Sequence, residues 1–238
     1  MVKLEKHTRR RLIIVLTALF ALAIWLIINP ANYQPEPVKT DTSTPAYPEL
    51  LATTILEKLA VKPRYTGQKY RRTEFYSNWS TVDGCDMRNI ILKRDLTDTT
   101  LDGCLVLSGT LNDPYTGQII HFTRGPGTSS AVQIDHVVAL SNAWSTGAYQ
   151  LEKSERKALS QAPLNILAVD GPANQQKSDQ DASEWLPPNL AFRCQYVARQ
   201  ISVKYKYILW VTPAEKSTMT NVLKTCPDEP TKGLEKTN

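Results

Sequence analysis

An apolar, β-branched run with two ionisable side chains at its centre limits what this chain can fold into more than any other stretch. Residues 131–138 read Ala-Val-Gln-Ile-Asp-His-Val-Val. Such a run is expected as a short buried strand, where Asp135 and His136 are costly unless paired, hydrogen-bonded or metal-bound. Successive strand residues point to opposite faces, so the two can share a site only where the strand ends or bends. A lone histidine of this kind is more often a satisfied core residue beside a capping aspartate. Residues 164–170, Leu-Asn-Ile-Leu-Ala-Val-Asp, read as a second short apolar strand. Gly171-Pro172 then turns the chain, and Pro172 suits the first turn of a helical segment at 173–177.

Strand, strand and short helix, with Asp135-His136 on the first strand and Asn174 on the helix, resemble the ββα-metal, or HNH, nuclease motif in its Asp-His…Asn…Asn variant. The wider pattern is more specific: Asp135-His136-Val137-Val138-Ala139-Leu140, Ala143-Trp144, Gly147, Pro163-Leu164-Asn165-Ile166-Leu167, Asn174, Lys177-Ser178-Asp179 and Trp185-Leu186-Pro187-Pro188. It is similar to secreted bacterial HNH-family nucleases related to the C-terminal nuclease domain of GmrSD-type restriction enzymes. The similarity continues through Arg193-Cys194-Gln195-Tyr196-Val197 and Val211-Thr212-Pro213-Ala214-Glu215 to Cys226. Upstream it takes in Asp83-Gly84-Cys85-Asp86-Met87-Arg88-Asn89 and Tyr115-Thr116-Gly117.

The resemblance implies an enzyme that hydrolyses phosphodiester bonds of DNA, with RNA as the alternative. His136, whose unperturbed pKa is about 6.5, suits a general base that deprotonates water. Asp135 is a hard oxygen ligand for a divalent cation, and Asn174 supplies an amide oxygen at the family's matching position. Mg2+ is favoured, with Mn2+ as the alternative; the last position of the family pattern is often His and is Asn174 here. Asn165 matches the middle Asn and is expected to brace the loop and orient His136. Lys177 is placed to hold a phosphate.

Charge gives no independent support. The formal net charge is +5, but Lys3, Lys6, Arg9, Arg10 and Arg11 against Glu5 hold four of those charges, so any electrostatic footprint must be local. One local patch is Lys62, Arg64, Tyr65, Lys69, Tyr70, Arg71 and Arg72, where Arg71 and Arg72 are candidate substrate-binding residues; a solvated face is the alternative. Another, Arg199 with Lys204-Tyr205-Lys206-Tyr207, falls in a long helix expected over 189–210. Arg88 is either a salt-bridge partner of Asp86 or, through its bidentate geometry, an electrophilic partner for the scissile phosphate.

The chain divides into four parts. Residues 1–29 carry Arg9-Arg10-Arg11 before an uncharged apolar run over 12–28, which reads as a transmembrane signal anchor or a cleaved signal peptide. Either places the remainder outside the cytoplasm, membrane-anchored or secreted. Residues 30–48 are a Pro-rich linker, 49–226 the nuclease domain and 227–238 a polar tail. Four cysteines admit three pairings; the sequence-local ones, Cys85–Cys104 and Cys194–Cys226, are expected, in keeping with an oxidising location. A zinc site competes weakly, since no C-x-x-C occurs.

The expected fold is α+β: a ββα-metal finger embedded in a mainly helical domain with a small antiparallel sheet, stapled by disulfides behind an N-terminal transmembrane helix. The competing functions are a non-catalytic cell-surface module that binds nucleic acid or a partner, and a serine hydrolase, which lacks a G-x-S-x-G elbow. No protein partner is implied.

Overall fold

In the computed structural model, which describes residues 50–76 and 78–234, the Leu-rich pattern after the linker folds as helix α1 (Ala52–Lys58) and buries Ala52, Ile55 and Leu56. The apolar run at 12–28 and the linker at 30–48 lie outside the described residues. Among the described residues no helix is long and apolar enough to cross a membrane. Strands β1 (Thr81–Val82) and β2 (Cys85–Asp86) pair antiparallel. Asp86 then caps helix α2 (Met87–Asp95) by accepting from the Asn89 N–H, which satisfies an orphan donor of the first turn.

Strands β3 (Leu96–Asp102), β4 (Leu105–Asn112) and β5 (Ile119–Thr123) form an antiparallel sheet in that order. Strands β4 and β5 form a hairpin, Ser108 opposite Thr123 and Asn112 opposite Ile119. Strand β3 is an addition, hidden because only Leu96 is buried and the rest is largely exposed Thr and Asp, so no alternation marks it.

Strands β6 (Val132–His136) and β7 (Ile166–Asp170) pair antiparallel, Val132 opposite Asp170 and His136 opposite Ile166. Alternation sends Ile166 and Ala168 into a cluster with Ile91 and Phe122, and Leu167 and Val169 into another with Tyr115 and Tyr196. Burial on both faces is why β7 reads as an unbroken apolar run. Between the two strands lie helix α3 (Leu140–Ser145), a 3-10 turn (Ala148–Gln150) and helix α4 (Lys153–Gln161). The helical stretch is interrupted at Gly147, whose φ of 130° is open to glycine and strained for other residues.

Helix α5 (Gly171–Lys177) follows β7 without a loop; Asp170 caps it, accepting from the Ala173 N–H at 2.7 Å, and Pro172 sits in its first turn. A Cβ on Gly171 would run into the Ser130 carbonyl oxygen, so this glycine lets the helix start hard against the turn before β6. Helices α6 (Arg193–Lys206) and α7 (Pro213–Leu223) complete the order. The protein is thus of mixed α and β structure, with three small antiparallel sheets among the described residues where one was expected.

The expected disulfides are both present. Cys85–Cys104 and Cys194–Cys226 close separations of 19 and 32 residues, each contributing about 3–4 kcal/mol by loop-closure entropy. Residues 227–234, expected as the start of a tail, are pinned instead. The Ala52 N–H donates to the Glu229 carbonyl at 2.9 Å and the Thr231 N–H to that of Leu50 at 2.8 Å.

Candidate active site

Because β6 ends at His136, Asp135 and His136 open onto one cavity although they leave the strand on opposite faces. The cavity is about 570 Å³ and is also lined by Tyr70, Arg72, Gln133, Ser141, Asn174, Ser178 and Asp179.

His136 is 7 % exposed. Its Nε2 lies 2.9 Å from the Ser160 carbonyl oxygen, which can only accept; Nε2 therefore carries the proton and Nδ1 is the basic atom. Burial, only partly offset by that hydrogen bond, lowers its pKa to about 3, so the ring is neutral at working pH. The Trp79 ring is stacked on it, centroids 5.8 Å apart and planes 11° from parallel. Asn165 is fully buried and braces the turn after β6: its Oδ1 accepts from the Val138 N–H at 2.9 Å, and its own carbonyl accepts from the Val137 N–H at 2.7 Å.

Helix α5 lies against the other face of β6 with matched spacing. Asn174 and Lys177, three apart on the helix, meet Gln133 and Asp135, two apart on the strand. The Asn174 Nδ2 donates to the Gln133 Oε1 at 2.8 Å, which leaves the Asn174 Oδ1 as its free acceptor. Lys177 is completely buried and donates to the Asp135 carboxylate at 3.0 Å and to the His136 carbonyl at 2.9 Å. Asp135 also accepts from the Tyr115 hydroxyl at 2.5 Å. Burial pushes the Asp135 carboxyl up against the opposing pull of Lys177 and Tyr115. These two accepted bonds leave the carboxylate with lone pairs to spare.

The structure gathers some of the predicted site residues and not others. Asp135, His136, Asn174 and Arg72 line the cavity; the Arg72 guanidinium donates to the Tyr76 hydroxyl and lies 4.9 Å from that ring's centroid. Arg71 is exposed outside the lining. Lys177, expected to hold a phosphate, has its ammonium locked inside the fold instead. Arg88 is turned to the carbonyls of Ser129 and Val132, at 3.3 and 3.1 Å. Sequence reasoning missed Tyr115, Trp79, Gln133 and the Ser160 carbonyl. Of these only Gln133, two before Asp135 on a strand, carried a signal.

Ser178 closes helix α5 at φ 50°, ψ −125°, and the Gln180 N–H donates back to the Lys177 carbonyl at 3.1 Å. That is the first central position of a type II′ turn, which favours glycine.

Fold and cavity define a disulfide-bonded protein of mixed α and β structure whose polar centre is an uncharged imidazole beside a carboxylate and an amide oxygen. Comparison with known proteins places it further. The model of the GmrSD restriction endonuclease C-terminal domain matches residues 85–222, and the chain belongs to that family. It is also 38% identical over 196 residues to an uncharacterized secreted protein of Arthroderma benhamiae, covering 81% of this chain and 92% of that relative. No solved structure matches it.

Proposed function

We propose that this protein is an exported, metal-dependent endonuclease of the ββα-metal (HNH) type that hydrolyses phosphodiester bonds of DNA. The observation that carries this reading is the state of His136. A neutral imidazole, fixed through Nε2 to the Ser160 carbonyl, keeps Nδ1 as its basic atom and lines the cavity that Asp135 and Asn174 also line. In hydrolysis Nδ1 takes a proton from water as its oxygen attacks phosphorus and a bridging oxygen departs. The arriving phosphate is anionic, and a negative charge nearby favours the imidazolium, so substrate itself strengthens the base.

The residues fit a hard divalent cation. Among the described residues no three His, Cys, Asp or Glu side chains gather into a cage. The available donors are the Asp135 carboxylate and the Asn174 Oδ1, a sparse oxygen set that suits Mg2+, which keeps several waters and is completed by substrate phosphate. When bound, the cation would neutralise charge on the phosphate and the leaving oxygen. Gln133 and Lys177 hold the two donors in place. Arg72, on the same cavity, is the phosphate-facing cation that Lys177 and Arg88 are not.

Export is supported by the two disulfides, which persist outside reducing compartments, and by the relative described as secreted. The test is plasmid nicking in Mg2+ and in EDTA, beside His136→Ala. Mg2+-dependent nicking by the wild type, lost in the variant with folding and DNA binding retained, is expected. Unchanged nicking in the variant sinks the assignment, and a folded wild type that binds DNA but fails to cut it whatever metal is supplied is a binding module.

A further inference from the structure

A second cavity, about 470 Å³, opens beside the first and is lined by Tyr76, Asn78, Thr73, Ser154, Lys153 and Lys157 among others. Tyr76 joins the two: its ring centroid is 6.1 Å from that of His136, it is held by Arg72 of the first cavity, and it forms part of the wall of the second. The cavities are therefore one side chain apart. Lys153 and Lys157 stand four residues apart on α4, so they share a helix face. Both are exposed, and among the described residues neither has an ion-pair partner.

The nearby carboxylates are occupied elsewhere. Glu152 and Glu155 form the capping box of α4, and Glu74 faces Arg156 at 3.6 Å. What remains is two unpaired ammonium groups with the hydroxyls of Thr73 and Ser154 and the amide of Asn78. Such a set of donors, with no acidic group left free, matches phosphate oxygens.

We propose that this second cavity holds a phosphate of the nucleic-acid strand next to the scissile one, with Lys153 and Lys157 as its cationic partners; the inference rests on the nuclease reading. The strand then crosses the Arg72–Tyr76 ridge between the two cavities. Its register is fixed by backbone charge, so the contact adds affinity without selecting sequence.

The test is binding of a labelled single-stranded oligonucleotide by the full chain in EDTA, between 50 and 200 mM salt, for wild type, Lys153→Gln/Lys157→Gln and the control Lys93→Gln/Lys224→Gln, which removes exposed charges elsewhere. Affinity of the first double variant should fall about ten-fold at 0.15 M salt. Its plot of log K against log salt should flatten by about 0.7, the value for one lost single-strand phosphate contact, with the control unchanged. An unaltered affinity and slope overturns the subsite, as does an equal loss in the control. Wild-type hydrolysis of bis(p-nitrophenyl) phosphate in Mg2+ is read separately: its failure removes the nuclease reading, while the binding series still decides the subsite.

Discussion

Two lysines among the described residues are completely buried, each against a carboxylate, and the two pairs do different things. Lys204 donates to Glu215 and Asn142, both at 3.0 Å, and to the Trp210 carbonyl at 3.1 Å. It thereby ties α6 to α7 and α3, and both partners are fully enclosed. Lys177 meets Asp135 at the same distance, but Asp135 borders the cavity beside His136. Burial pushes both carboxyls up. An ion pair taken wholly out of water has little surplus energy, because desolvation offsets attraction. The Lys204 pair is therefore a device for fixing one packing. In the Lys177 pair the ammonium holds in place a carboxylate that borders the cavity.

The sharpest way to break that distinction is to neutralise each acid in turn. Asp135→Asn should lower cleavage about 10³-fold per folded molecule, the size expected for a charged group removed from developing charge, whereas Glu215→Gln should leave the specific activity near wild type. Equal losses would mean that both pairs are structural. Stability reads the other side. Lys204→Ala, which strands a buried carboxylate, should destabilise by about 3–5 kcal/mol in denaturant titration.

Acid should expose the site as well. With a pKa of about 3 in the fold against an ordinary 6.5, His136 binds fewer protons folded than unfolded. Its contribution to stability is complete above pH 6.5 and lost as pH falls towards 3. Unfolding curves of wild type and His136→Ala should therefore converge on acidification. The raised carboxyls of Asp135 and Glu215 act in the opposite sense in both proteins, and so drop out of the difference. A smaller effect belongs to Trp79. Trp79→Ala should lower kcat about ten-fold with KM unchanged, because the imidazole loses its stacked neighbour, and Trp79→Phe should restore most of it; a matching rise in KM would make Trp79 a substrate contact instead.

The site was legible where its chemistry is local in sequence. Asp135-His136 at a strand end, a Pro-opened helix bearing Asn174 and two sequence-local disulfides all follow from short-range pattern. Long-range partnership was not legible. A lysine in Asn-Gln-Gln-Lys-Ser reads as surface, and lysine is almost never fully buried unless paired; its partner lies 42 residues earlier. Tyr115 sits in a hairpin turn, where nothing announces that its hydroxyl reaches Asp135. Trp79 lies in a stretch with no periodicity, and its place on His136 is a product of tertiary packing alone.

The strained backbone at Ser178 has a consequence for anyone seeking a hardier protein. Holding a serine at the glycine-favouring corner of a II′ turn carries a conformational cost of about 1–3 kcal/mol. Ser178→Gly should recover about 1 kcal/mol in thermal or denaturant unfolding. The same change removes a hydroxyl from the cavity wall and frees the chain just past the helix that carries Asn174. Robustness and turnover are thus coupled at one residue, and selection for one is expected to be read out as a loss in the other.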